Sequence, residues 1–197
     1  MKKIIVTIGL LSVLGFRVAG QSAKTSTGPR FLSNSELAAP PNYREWVWLS
    51  SGLGMSYGPG AQAATQANPP FDNVFVTPEA YRAFMQTGKW PNGTMFVLEL
   101  RRSQGEGSIN RAGHFQGGLL RIEAEVKDEK RFAGGWGYFA FDDPAKPGKL
   151  LSNAISDCQT CHSKNGAVDS TFVQFYPTLM EVAKQKGTFR QTEADRQ

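Results

Sequence analysis

Cysteine and histidine are almost missing from this sequence, which has two of each among 197 residues. Two cysteines are too few for the disulfide framework of a small exported scaffold. Long apolar runs are also scarce. Beyond the first twenty residues no stretch approaches the roughly 20 residues that a membrane-spanning helix needs. Charge of one sign is scarce too. The formal net charge is +5, but it falls to +2 once the first twenty residues, with Lys2, Lys3 and Arg17 and no acid, are set aside. Most of the basic isoelectric point, about 9.3, therefore belongs to the leader, and nothing points to nucleic acid or to an acidic partner. No internal repeat is visible.

The few cysteines and histidines are concentrated. "ISDCQTCHSK", residues 155–164, holds Cys158, Cys161 and His162. Their spacing is i, i+3, i+4, so on a helix the three share one face. A C-x-x-C-H run lets two thiols bond the vinyl groups of a haem while the adjoining imidazole ligates its iron. Three other chemistries compete. A thioredoxin-like dithiol sits early in a βαβ unit, and only 35 residues follow His162. A structural zinc site wants four ligands, and Cys158, Cys161 and the distant His114 supply three. A plain disulfide is the simplest alternative.

The N-terminus separates these options by compartment. MKK is a positive n-region, IIVTIGLLSVLGF a short apolar core, and VAG a small-residue site with Val18 at −3 and Gly20 at −1. The pattern predicts a secretory signal peptide over 1–20 with cleavage before Gln21. An uncleaved anchor is the alternative. Export to a periplasm suits covalent haem attachment, and the mature chain is expected to be soluble. About 177 residues remain, the size of one domain with a single core.

The polar stretch 21–40 is expected to be a flexible lead. "YREWVWLSSGLGMSY" is rich in β-formers, and "GPGAQAATQANPP" reads as a surface loop. "NVFV" predicts a short strand. "TPEAYRAFMQTG" predicts a helix capped by Thr77, with Pro78 in its first turn and Gly88 at its end. Three strands follow, in "TMFVLELRRS", "LLRIEAEVKD" and "GWGYFAFD". The first sets Phe96, Leu98 and Leu100 against Met95, Val97, Glu99 and Arg101. The second sets Leu120, Ile122, Ala124 and Val126 against Arg121, Glu123, Glu125 and Lys127. A glycine-rich loop, "QGEGSINRAGHFQGG", separates these two. Helical segments are expected around 152–163, 170–176 and 177–187. Strands first and helices last argue an α+β domain, its antiparallel sheet packed with C-terminal helices around one c-type haem.

A late C-x-x-C-H run does not suit the common plan in which a distant methionine becomes the second axial ligand. Met180 is the only methionine after it, and His114 is the one spare imidazole. The favoured state is an iron with an open sixth position, suited to binding or transforming a small ligand.

"NYREWVW", "VTPEAYRAFMQTGKWPNGTMFVLEL", "IEAEVKDEKRF" and "CQTCHSKNGAVDSTFVQFYPTL" together resemble the cytochrome P-460 family, whose close relative is cytochrome c′-beta. The resemblance implies a haem domain over 41–190, a β-rich homodimer and one covalent haem c per chain. It also implies hydroxylamine oxidation, or the binding of nitric oxide and related gases. Cys158 and Cys161 take the thioether positions, and His162 takes the iron. In hydroxylamine-oxidising members a lysine bonds the porphyrin from the strand matching "GTMFVLEL"; that position here is Leu98, which has no nucleophile. Their distal arginine, shortly before the "TPEAY"-like helix, has no counterpart in "FDNVFV". The proton-transferring carboxylate matches Glu123, which on strand polarity alone would face solvent.

Phe96, Phe115, Tyr138 and Phe139 are candidates to line an apolar pocket, with Phe96 chosen because it shares a face with Leu98. Two functions follow. One is an exported mono-haem protein that binds nitric oxide or a similar small ligand. The other is an oxidoreductase acting on hydroxylamine, nitric oxide or peroxide, with Glu123 moving protons. An electron-transfer protein is a further expected partner.

Overall fold

The structure, a computed structural model, describes residues 28–56, 67–151 and 155–191. The expected signal peptide and most of the expected "GPGAQAATQANPP" loop lie outside the described residues.

Among the described residues, seven strands form one antiparallel sheet: β1 (Glu36–Leu37), β2 (Val47–Leu53), β3 (Phe71–Val76), β4 (Met95–Gln104), β5 (Phe115–Lys127), β6 (Trp136–Phe141) and β7 (Gly148–Leu150). Their order across the sheet is β1-β7-β6-β5-β4-β3-β2. Helix α1 (Pro78–Thr87) joins β3 to β4, while α2 (Ile155–Asn165) and α3 (Pro177–Gln185) follow the last strand. The α+β expectation is borne out.

The sheet is covered on both faces. On one, Val76, Phe96, Trp136 and Tyr138 pack with Phe84 of α1, Leu179 of α3 and Val173. On the other, Met95, Val97, Ile122, Ala124, Val126 and Phe139 pack with Leu37, Trp46 and Phe132. The alternation of β4 and β5 therefore places side chains as their sequences imply, except at Leu120. That residue falls where the register slips beside Arg101, and it is exposed.

Several expectations need correction. Within the lead expected to be flexible, Glu36 and Leu37 pair with Lys149 and Gly148 as β1. Leu37 is fully buried, and Phe31 packs its ring, tilted, against Phe132 and Phe139. A polar composition hid two anchors spaced too widely to read as a strand. The segment expected to be helical over 170–176 is a Val168–Thr171 bridge followed by a 3-10 turn, Val173–Phe175. Two successive left-handed residues there, Asp169 and Ser170, break helical geometry. The glycine-rich loop is shorter than expected, because the ladder continues to Ser103↔Gln116 and Gln104↔Phe115.

Helix α1 begins with Pro78 and ends on Gly88, whose φ of 70° suits glycine and whose N–H donates to the Phe84 carbonyl at 2.7 Å. Thr77 precedes it without making a side-chain cap. Its backbone instead bonds both ways, accepting from Tyr81 and donating to the Met95 carbonyl.

Glu99 is a buried carboxylate on the second face, with a side chain only 4% exposed. It accepts from the Tyr43 hydroxyl, from Arg44 Nε at 2.8 Å and from Asn73 Nδ2 at 3.3 Å. Buried carboxylates need such partners.

Candidate functional site

Helix α2 puts Cys158, Cys161 and His162 on consecutive turns, as their spacing predicts. No disulfide joins the two thiols. The helix stops at Gly166, whose N–H donates to the His162 carbonyl at 2.8 Å, while Asn165 Nδ2 donates to the Cys161 carbonyl at 3.0 Å. A side chain at Gly166 would meet backbone. A Cβ there would lie 2.6 Å from Ser170 C and Thr171 N and 2.7 Å from the His162 carbonyl oxygen. Glycine thus lets the Ser170 turn close against the end of the cysteine-bearing helix.

That closure orients His162. Its Nδ1 lies 3.0 Å from the Ser170 carbonyl oxygen and 3.3 Å from Glu125 Oε1. A carbonyl only accepts, so Nδ1 carries the proton, and Nε2 keeps a lone pair. The ring sits between Tyr138 and Phe172, with centroids 4.9 and 4.4 Å away. Burial alone would lower the His162 pKa, but the charge and close approach of the Glu125 carboxylate, and after them the Ser170 carbonyl, outweigh it and raise it. Burial, then the Glu125 charge, pushes Tyr138 well up, so it remains a phenol. Tyr138 Oη and Glu125 Oε1 are buried atoms without a well-directed hydrogen bond among the described residues.

The sheet arrives at this site in rows. Phe96, Glu125 and Tyr138 are register partners across β4, β5 and β6, and Leu98, Glu123 and Ala140 form the next row. Asp72, Leu100 and Arg121 form the one after. Leu98 and Glu123 are therefore side by side, one row from the carboxylate beside His162. Glu123 is half-buried and ion-paired, its Oε1 3.0 Å from Arg121 Nε. Asp72 completes an acid–base–acid group. Burial raises its pKa, Arg121 draws it down, and Glu123 adds to the rise.

Phe96 shares the Leu98 face, but its ring is buried among Trp90, Trp136 and Tyr176. Of the other candidate aromatics, Phe139 is corrected: it points to the opposite face, packed against Phe31 and Phe132. Strand alternation requires this, because its neighbour Tyr138 faces His162. Phe115 is partly exposed at the far end of β5. His114 is exposed on the same hairpin, and Met180 is half-buried on α3 against the helix-side core. Among the described residues no three His, Cys, Asp or Glu side chains converge to hold a metal ion.

The family model for cytochrome P460 matches residues 40–173, about two thirds of the chain and the whole of the C-x-x-C-H helix. The chain belongs to the cytochrome P460 family. It is a haem-binding cytochrome. Comparison with curated proteins gives no match. The residues present fit a haem for this cytochrome P460 protein. Two unjoined thiols and an imidazole share one helical face, and His162 has its Nδ1 engaged and its Nε2 available for iron.

Glu125, Arg121 and Ser170 were not singled out from sequence. Glu125 had a signal: it lies two residues from Glu123 on the same strand face, toward the end of β5 that α2 covers. Ser170 acts through its backbone, which no side-chain pattern reveals.

Proposed function

We propose that this protein is an exported, periplasmic mono-haem cytochrome c whose haem is bonded by Cys158 and Cys161 and ligated by His162, and that it binds nitric oxide or a similar small ligand at an open iron position. The carrying observation is the oriented imidazole. The Ser170 carbonyl holds Nδ1, and Tyr138 and Phe172 fix the ring. When bound, the haem supplies an iron that coordinates diatomic ligands and exchanges electrons.

The protein's part would be to ligate the iron through His162 and to supply no second ligand. His114 is exposed on a hairpin and Met180 is packed on α3, which supports neither as a second ligand. Leu98 stands where the resemblance implies a porphyrin-bonding lysine, and an aliphatic side chain can only pack. This favours ligand binding over hydroxylamine oxidation. A homodimer, and an electron-transfer protein as redox partner, belong to the same proposal.

The Glu123–Arg121 pair beside Leu98 supports a second reading, an oxidoreductase in which Glu123 moves protons. Optical spectra of the ferrous protein with and without carbon monoxide, together with hydroxylamine consumption under an electron acceptor, separate the two. Binding predicts a high-spin ferrous spectrum shifted by carbon monoxide, unaltered in His114→Ala, with little or no hydroxylamine consumed. A low-spin spectrum that ignores carbon monoxide would refute the open position. Robust turnover lost in Glu123→Ala would establish the enzyme instead.

A further inference from the structure

The turn that holds His162 is itself held by a buried cation. Asp169 and Ser170 adopt φ of 47° and 60°, left-handed values that a side chain bearing a Cβ disfavours. They stay there because both flanks are tied down. Lys127, with a side chain only 9% exposed, donates to Asp169 Oδ2 at 2.5 Å and to the Trp90 carbonyl at 2.9 Å. Glu129 Oε1 lies 3.2 Å from the same ammonium. On the other flank the Thr171 hydroxyl donates to the Val168 carbonyl at 2.6 Å and accepts from Trp90 Nε1 at 2.9 Å. Lys127 thus ties Asp169 to the end of β5, and Trp90 joins Lys127 to Thr171 on the other side of the turn.

The imidazole has two acceptors within reach, and they differ in chemistry. The Ser170 carbonyl is neutral and makes the hydrogen bond at 3.0 Å. Glu125 Oε1, at 3.3 Å, belongs to a carboxylate and lacks a well-directed hydrogen bond among the described residues. Moving the Nδ1 proton toward a carboxylate gives the imidazole more anionic character, strengthens its donation to a metal and stabilises the oxidised metal.

We propose that Lys127 is a positioning residue for the iron-ligating histidine. By clamping Asp169 beside Trp90 it keeps the Ser170 carbonyl on His162 Nδ1 and the Nδ1 proton away from Glu125. The inference rests on His162 being the iron ligand. Lys127 does not touch His162; it acts through one turn of backbone.

The test uses the haem-loaded ferrous protein and two readouts other than activity: the iron–histidine stretching band in resonance Raman spectra and the midpoint potential. Lys127→Met is expected to raise the stretching frequency and lower the potential, whereas Lys127→Arg keeps both near the native values. Glu125→Gln alone is expected to leave the band in place. Combined with Lys127→Met, it is expected to return the band to its native position, because no carboxylate remains to take the proton.

A native-like band in Lys127→Met would overturn the proposal. So would an upward shift that persists in the double variant, since general loosening is not reversed by removing Glu125. Should Lys127→Met fail to fold, Glu125→Gln decides alone. A downward shift would show that Glu125 already holds the proton, and an unmoved band would support the Ser170 bond. A native protein with no iron–histidine band would refute the ligand assignment, an outcome separate from any failure of Lys127.

Discussion

Gly166→Ala tests the packing that brings the Ser170 carbonyl to His162. Gly166 is buried between the end of α2 and the 168–171 turn. The added methyl would stand 2.6 Å from Ser170 C and Thr171 N and 2.7 Å from the His162 carbonyl oxygen. Ordinary carbon contacts are about 3.5–4.0 Å, so the methyl is short by about 1 Å on two sides. All three atoms are backbone, so no side chain can rotate away. The turn must lift from the helix, and overpacking of this kind costs about 1–3 kcal/mol. For a chain of this size that lowers the melting temperature by about 2–12 °C. Gly118→Ala is the control, because a Cβ there meets nothing within 4 Å, and its effect should stay within about 0.5 kcal/mol. Thermal unfolding followed by far-ultraviolet circular dichroism, at equal haem content, gives both values. Gly166→Ala melting with its parent, or no lower than Gly118→Ala, would refute the close approach.

The Glu99 cluster predicts the pH limits of stability. Burial alone would raise the Glu99 carboxyl, but donation from Tyr43 and Arg44 and the charges of Arg44 and Arg101 outweigh it and hold its pKa below the ordinary carboxylate value. Its contribution is therefore complete above that ordinary value and lost as pH falls through the lowered one. Glu99→Gln should cost about 1–3 kcal/mol near neutrality and flatten the acid limb of a urea-midpoint profile. A variant with the parent's acid limb would contradict this. Tyr43 carries the opposite sign: burial first, then the bond to Glu99, pushes its pKa up to about 12. The stability it contributes is complete below the ordinary tyrosine value and lost as pH rises through about 12. Tyr43→Phe should remove that alkaline decline, and an unchanged alkaline limb would show that Tyr43 does not carry it.

Local regularity decided what the sequence could reveal. The alternation in "TMFVLELRRS" and "LLRIEAEVKD" and the Pro78 and Gly88 signals of α1 each depend on neighbours a few residues apart, and the structure reproduces them. The three-residue cluster on α2 was legible for the same reason. What escaped depended on distant partners. Leu37 is buried only because β1 finds β7, more than a hundred residues later. The acidic face of β5 reads as solvent-facing, yet α2 and the 168–171 turn cover its Glu125–Lys127 end, where Lys127 is buried. The 170–176 segment reads as helix until the left-handed pair at Asp169 and Ser170 is seen. Ser170 itself contributes a carbonyl, identical in every residue type.

The central claim is a haem held covalently by the helix of Cys158, Cys161 and His162. Intact mass of the purified protein after acid-acetone extraction tests it most directly, because extraction removes a haem that is held only by ligation. The account predicts a chain heavier than the polypeptide alone by one haem, with that increment lost when both cysteines are replaced by alanine. A chain at the mass of the bare polypeptide, its pigment gone into the acetone, would contradict it.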